Sequence, residues 1–452
     1  MLGTMVHPTR VRLLNDVPGR GQAEYVLYWA QINRRLDSNH ALAFAVDIAN
    51  KLGLPVLVYE GLTCSHPHAN DRLQTFVMEG VADNAKRAAE LGLGYVFYHR
   101  ARKTDANDTL YRLAKKAAVV VTDDYPGYLA ERHNASVPAK IGIPYYVVDS
   151  SCVVPMSCMT KQEYAAYTIR PKIQRLLEEH LHAVGPIRVR RKWAEAASES
   201  QQVPVAESDV DHSVAASTTL RGGRKAALAH LQLFLKKNLV RYARHKNEPS
   251  EHATSRMSAY LHFGYISATE IALAVRGYAA EHKLIAVEYL EELIVRRELA
   301  FNFARFGPRP ETLEALPEWA RNTLAKHDVD RRDPVYDYEQ FERAATYDDL
   351  WNATQTQLLR EGVIHGYYRM YWGKKIIEWS RTHQAALDTM IRLHDKYALD
   401  GRDPNTYGNI LWCFGLHDRP WTERPILGMI RYMNLAGMKR KTDVRAYVEA
   451  MR

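Results

Sequence analysis

An α/β domain followed by an all-α domain is the architecture this sequence predicts, on three observations. Short apolar runs alternate with helical patterns over residues 1–185, a polar connector fills 186–219, and from 220 to 452 apolar residues recur almost wholly at helical spacing. Regular alternation of strand and helix implies a doubly wound parallel sheet.

Taken in chain order, YVLYWA (25–30), LPVLVYEG (54–61), GYVFYHR (94–100), AAVVVTDD (117–124) and IPYYVVDS (143–150) read as strands. Each is β-branched or aromatic and continuously apolar, as a strand buried on both faces must be. NHALAFAVDIANKLG (39–53) and FVMEGVADNAKRAAELG (76–92) read as the helices between them. No GxGxxG follows the first strand, since GRG at 19–21 precedes it, so an ordinary dinucleotide site is not indicated. RVRRKW (188–193) reads as basic surface. The segment 194–219, AEAASESQQVPVAESDVDHSVAASTT, has no periodicity and is expected to be an exposed, partly disordered connector. Beyond it, RKAALAHLQLFLKKNLVRYARH, IAVEYLEELIVRRELAFNFARF and HGYYRMYWGKKIIEW carry helical patterns.

Composition sets outer bounds. At 452 residues, 46% hydrophobic and 25% charged, the chain can bury two or three full cores. A formal charge of +9 is compatible with a polyanionic partner, although many enzymes are mildly basic. Cys64, Cys152, Cys158 and Cys413 form no CxxC pair and no zinc spacing, so free thiols and no metal are expected. The first residues, MLGTMVHPTRVRLLND, lack the apolar core of a signal peptide, and no apolar run reaches membrane-spanning length. The expectation is a cytoplasmic monomer, nucleoid-associated in a prokaryote, with no membrane partner.

HGYYRMYWGKKIIEW (365–379) raises the chemical question. At helical spacing one stripe runs His365, Arg369, Trp372, Ile376, Trp379, so an apolar and aromatic face carries an arginine and a histidine. A buried guanidinium needs a carboxylate or several acceptors; a structural ion pair among core tryptophans is the plain alternative to a ligand site. Three more segments carry charged groups that could converge on a polar, phosphorylated ligand. LDGRDPN (399–405) places two carboxylates and an arginine in a Gly/Pro turn. TSRMSAYLHFG (254–264) opens with Thr and Ser where a helix could start, and EELIVRRELAFNF (291–303) sets Glu292, Arg296 and Glu298 among apolar residues. Helix caps and salt bridges would also explain each one alone.

With YVLYWAQINRRLDSNHAL, KQEYAAYTIRPKI, TSRMSAYLHFGYIS, WNATQTQLLREGVIHGYYRMYWGKKIIEW, LDGRDPNTYGNILW and HDRPWTERPILGMIRYMNLAGMKRK in this order, the chain resembles the photolyase/cryptochrome superfamily, and within it the class II cyclobutane pyrimidine dimer photolyases. The resemblance implies an α/β antenna domain and a helical domain holding FAD, active in its reduced form, with a second antenna chromophore as an open possibility. It implies light-driven electron transfer to a flipped-out dimer in DNA. Tyr242, Asn247, Thr254, Ser255, Arg256, Met257 and Ser258 would contact the cofactor's phosphates and ribityl chain. Arg369, His394, Asp400, Arg402 and Asn405 would complete its site. Glu292, Met370 and Trp412 would line the dimer pocket, and Trp351, Trp372 and Trp379 would relay electrons. Core packing is the plain alternative for those tryptophans. Arg419, Trp421 and Arg431, with Lys439, Arg440 and Lys441, would face damaged DNA, where a solvated charged face is the alternative.

Four features depart from the class II pattern. His394 stands where Asn is usual, and a histidine there is expected to titrate near neutral pH and alter the pH dependence of photoreduction. Lys246-Asn247-Glu248-Pro249 replaces Arg-Asn-Asp-Pro, which removes a bidentate fork. WCFGLHDR is one residue shorter around Asp418, and Arg296 occupies the place of a stacking Trp. A cryptochrome-like photoreceptor without repair activity is the competing reading; Glu292, Met370, Trp412, the basic C-terminal segment and the lack of a long signalling tail weigh against it.

Overall fold

In the computed structural model, residues 6–194 and 200–452 are described. The first five residues and residues 195–199, part of the expected connector, lie outside them.

Six strands form one sheet: β1 (Val11–Asn15), β2 (Tyr25–Trp29), β3 (Val56–Thr63), β4 (Gly94–Arg100), β5 (Ala117–Asp123) and β6 (Tyr145–Val148). Their spatial order is β1-β6-β5-β2-β3-β4. Pairs from β6 to β4 are parallel, with Val26 opposite Val56 and Leu57 opposite Gly94. The expected parallel sheet needs one correction. β1 joins β6 antiparallel, Val11 opposite Val148. Its VRLLN mixes Arg and Asn with apolar residues and is only half-buried, so it lacks the continuous apolar run that marks the inner strands. β2 and β5 are buried at every position.

Helix α1 (His40–Leu52) begins at Asn39, whose Oδ1 accepts the Ala41 and Leu42 N–H groups, and ends on Gly53 at φ 67°. Helix α2 (Asp71–Leu91) is capped by Asn70 and Gly92 in the same way and starts five residues earlier than its apolar pattern suggests. Its Phe76 and Val77 pack with Phe234, Tyr260, Tyr265 and Ile271 of the helical half, so one apolar core crosses between the two halves. Gly264 allows that closeness: it sits at φ 67°, and a Cβ there would lie 2.2 Å from the Ile32 carbonyl oxygen.

The expectation of a loosely exposed connector fails for its described part. Gln201 donates to the Phe97 carbonyl and accepts from the His99 N–H, extending the sheet past β4. Trp193 lies against Tyr25 with ring centres 5.5 Å apart, while Ser208, Val214 and Ser217 are buried. The segment covers an open sheet edge, which would otherwise present unpaired backbone groups. No helix among the described residues is long and apolar enough to cross a membrane.

Candidate active site

A cavity of about 410 Å³ opens in the helical half. It lies among residues 242–258, the π-helical turn Glu291–Arg296, and the helices Gly366–Trp379, His383–Tyr397 and Pro404–Cys413. His365 starts the first of these helices by accepting the Tyr367 N–H at 3.2 Å. Asp403 starts the last by accepting the Asn405 N–H at 2.8 Å, with Pro404 at the first helical position. The π-helical turn, a form frequent at functional positions, sets Glu292 and Arg296 on the rim.

Arg369 and Asp400 form the central ion pair at 3.0 Å. Only the Nη2 nitrogen reaches the carboxylate; Nε is buried without a partner. Burial works against the Asp400 charge, but Arg369, His394 and a Ser258 hydroxyl outweigh it and hold the carboxyl below its ordinary value. The Thr406 hydroxyl fixes the Asp400 carbonyl at 2.5 Å.

His394, 1% exposed, contradicts the expectation of titration near neutral pH. Burial, with the neighbouring Arg369 charge, pushes its pKa down to about 4. The neutral ring places Nδ1 2.9 Å from the Met390 carbonyl, an acceptor, so Nδ1 carries the proton. Nε2 is then a bare lone pair with no partner among the described residues, on a residue that lines the cavity. His365 and His417 also line it, and the buried Nε2 of His417 has no partner among the described residues.

Trp372 lines the cavity, edge-on to His394 with ring centres 5.1 Å apart. Behind it lies Trp351, stacked at 6.1 Å and 4°, and then Trp379 at 6.2 Å from Trp351. All three are buried, and hydrogen bonds fix two of them: Trp372 Nε1–H donates to Gln355 Oε1 at 2.9 Å and Trp351 Nε1–H to the Trp372 carbonyl at 3.0 Å. Trp351, although far in sequence, is the middle member.

At the rim, Glu292 meets Lys246 Nζ at 3.3 Å, and the Arg296 guanidinium lies 5.6 Å from the Trp412 ring centre. Met370 lines the same mouth. Tyr242, Thr254, Ser255, Arg256, Met257, Ser258 and Asn405 also line the cavity.

Four expectations fail here. Asn247 is exposed and outside the lining. Arg402 turns away: its guanidinium binds the Asp395 and Ala398 carbonyls and braces the turn at φ 63°. Glu298 faces the α/β domain, accepting the Val153 N–H at 2.5 Å, and burial pushes its carboxyl up to about 8. Thr254 and Ser255 do not cap a helix; the short helix Ser258–His262 starts after Met257, with Arg256 at φ 53°.

Arg419, Trp421 and Arg431 gather outside the cavity, the two guanidiniums 5.0 and 5.3 Å from the Trp421 ring centre. Trp421 is 39% exposed, and its indole N–H donates to Asp418 at 3.4 Å. Lys439, Arg440 and Lys441 are exposed on the last turn of the helix Leu435–Lys441. Sequence reasoning missed His417, Tyr289 and Asp403. No local pattern marks the first two. Asp403 is visible as a helix cap before Pro404, and burial of its carboxylate beside His262 at 3.2 Å shows only in three dimensions.

A family model described as DNA photolyase matches residues 26–209. The deoxyribodipyrimidine photo-lyase of Methanothermobacter thermautotrophicus is 38% identical across 99% of both chains. That of Arabidopsis thaliana is 35% identical over 98% of this chain and 92% of its own. Among solved structures, a class III photolyase from Agrobacterium tumefaciens superposes with TM-score 0.69 at 18% identity, covering 97% of this chain and 88% of its own. A Synechocystis cryptochrome gives 0.71 at 16%, covering 95% and 89%, so these two likenesses speak to fold alone.

Proposed function

The chain belongs to the photolyase family, and from that premise we propose that it is a class II enzyme that splits cyclobutane pyrimidine dimers in DNA under light, with FAD in the Arg369–Asp400 cavity. Bound in its reduced form, FAD supplies a light-excited electron donor. One observation carries the reading: three polar atoms unmet among the described residues, Arg369 Nε and the Nε2 atoms of His394 and His417, belong to residues lining one cavity. Buried polar atoms are rarely left unpaired, so a large polar ligand is the economical partner. The volume of about 410 Å³ suits one.

Each residue then has a part. Thr254 and Ser255 offer hydroxyls to phosphates, and Arg256, held by Glu361 at 2.7 Å, lines the cavity beside them. Arg369 keeps Asp400 ionised and turns its free Nε to the ligand. His394 Nε2 accepts a hydrogen bond and stays unprotonated at neutral pH. Trp379, which lies 5.2 Å from the exposed Tyr347 ring, then Trp351 and Trp372 lead electrons to the cavity. Trp412 and Met370 offer apolar faces to the two joined bases of a dimer flipped out of the duplex, and Glu292 offers a carboxylate to their polar edges. Arg419, Arg431 and the Lys439–Lys441 cluster answer the phosphates, while Trp421 fills space near the lesion.

The test is loss of cyclobutane dimers from an oligonucleotide with chemically reduced, FAD-loaded protein. Repair in light and none in darkness is the expected outcome. Absence of repair by the loaded protein would sink the reading in favour of a photoreceptor.

A further inference from the structure

Outside the cavity, where the N-terminal segment crosses the end of the helix Ala166–His180, three metal-type donors meet, with a thiol beside one of them. One ring nitrogen each of His7 and His180 and a carboxylate oxygen of Glu179 lie within 4.8 Å of one another. His7 Nε2 is 3.1 Å from Glu179 Oε1, and His180 Nε2 is 3.7 Å from Cys158 Sγ. The imidazole rings meet edge to face at 4.9 Å.

The spacing is informative. Metal distances of about 2.0–2.1 Å for nitrogen or oxygen and about 2.3 Å for sulfur give tetrahedral edges of roughly 3.4 Å and 3.6 Å. The two observed pairs are close to these edges before any ion is present. His7 is also oriented: its Nδ1 lies 2.7 Å from the Thr9 hydroxyl and accepts the Thr9 N–H at 3.4 Å, which turns Nε2 toward Glu179. His180 is 4% exposed, yet its Nδ1 has no partner and its Nε2 meets only the weakly bonding Cys158 sulfur. A satisfied core histidine would have a carbonyl or carboxylate on one of them. Glu179 would offset part of the ion's charge near the Arg10 guanidinium; burial pushes the Cys158 thiol up, so the ion itself would have to displace its proton.

We infer that His7, Glu179, His180 and Cys158 form a tetrahedral site for a divalent transition ion of the zinc class. The ion would pin the start of the chain to the helix end and to the turn Met156–Cys158, on either side of β1. The residues are spread over 174 positions, from 7 to 180, so no contiguous motif reveals them. This inference stands apart from the light-driven reading.

Zn²⁺ titration of the full-length, chelator-dialysed protein by calorimetry tests it. The expected result is one tight equivalent, weakened at least about tenfold in both His7→Ala and Glu179→Gln. Both side chains are exposed, so folding is not at issue, and repair activity should be unchanged. With Co²⁺, tetrahedral ligand-field bands at wavelengths beyond flavin absorption should appear and change in Cys158→Ser. No stoichiometric binding, or equal affinity in His7→Ala, would reduce the cluster to a surface ion pair and overturn the inference.

Discussion

His394 shows how burial overrides a residue's ordinary chemistry. Its free imidazole would titrate near pH 6.5, but in the fold it stays neutral down to about 4. The unfolded chain therefore binds a proton that the native protein refuses between those values. Stability from this residue is fully present above about pH 6.5 and falls on acidification, by up to about 1.4 kcal/mol per pH unit. Urea titrations at pH 7 and pH 5 should show a smaller acid loss in His394→Asn. The same substitution should leave the pH profile of light-driven cofactor reduction unchanged between pH 6 and 9. Arg369→Met strands the buried Asp400 carboxylate, at a cost of about 3–5 kcal/mol. The readout is release of flavin fluorescence together with a lower thermal midpoint.

Among the elements, the tryptophan helix and its neighbour show how packing reorders a linear pattern. Trp372 and Trp379 stand seven residues apart on one face, which suggests a direct step of about 10 Å. The helix Asp349–Glu361 inserts Trp351 between them, with ring centres about 6 Å from each. Trp351→Phe should slow light-driven cofactor reduction about tenfold or more, equivalent to on the order of 1.4 kcal/mol on the barrier. Repair by chemically reduced protein should be preserved. Loss of both activities together would instead point to a disturbed core. Glu298 illustrates the opposite outcome: it shares a helical run with Glu292, yet the change of face turns it to the α/β domain.

For the whole molecule, Arg72 is the telling residue. It leaves α2 at 2% exposure and has no carboxylate partner among the described residues. Its guanidinium donates to the carbonyls of Ala215 (2.9 Å), Leu358 (2.9 Å), Leu359 (2.5 Å) and Tyr397 (2.8 Å). Leu358, Leu359 and Tyr397 belong to the last turns of the helices that carry Trp351 and His394, where carbonyls lack partners and a cation is favourable. The α/β domain thus clamps the walls of the cavity. Arg72→Met should lower unfolding free energy by about 3 kcal/mol, measured in urea, because several buried acceptors lose their donor together. On the outer surface, Arg440→Ala should weaken DNA binding about equally for all sequences and reduce the salt slope by roughly one phosphate contact.

The inner strands, the helical second half and most cavity residues were legible in the chain because they follow local rules. Buried strands are continuously apolar, helices repeat at 3.6 residues, and long recurring motifs carry Arg369, Asp400 and the tryptophans. β1, the docked connector and the roles of Arg402 and Glu298 were not legible. A short mixed strand, a polar segment and a charged side chain each have several local options, and each takes the one its distant neighbours satisfy. The protonation of His394 and the central place of Trp351 belong to the same class. Both depend on which groups surround a buried atom, and chain folding from far positions supplies those groups.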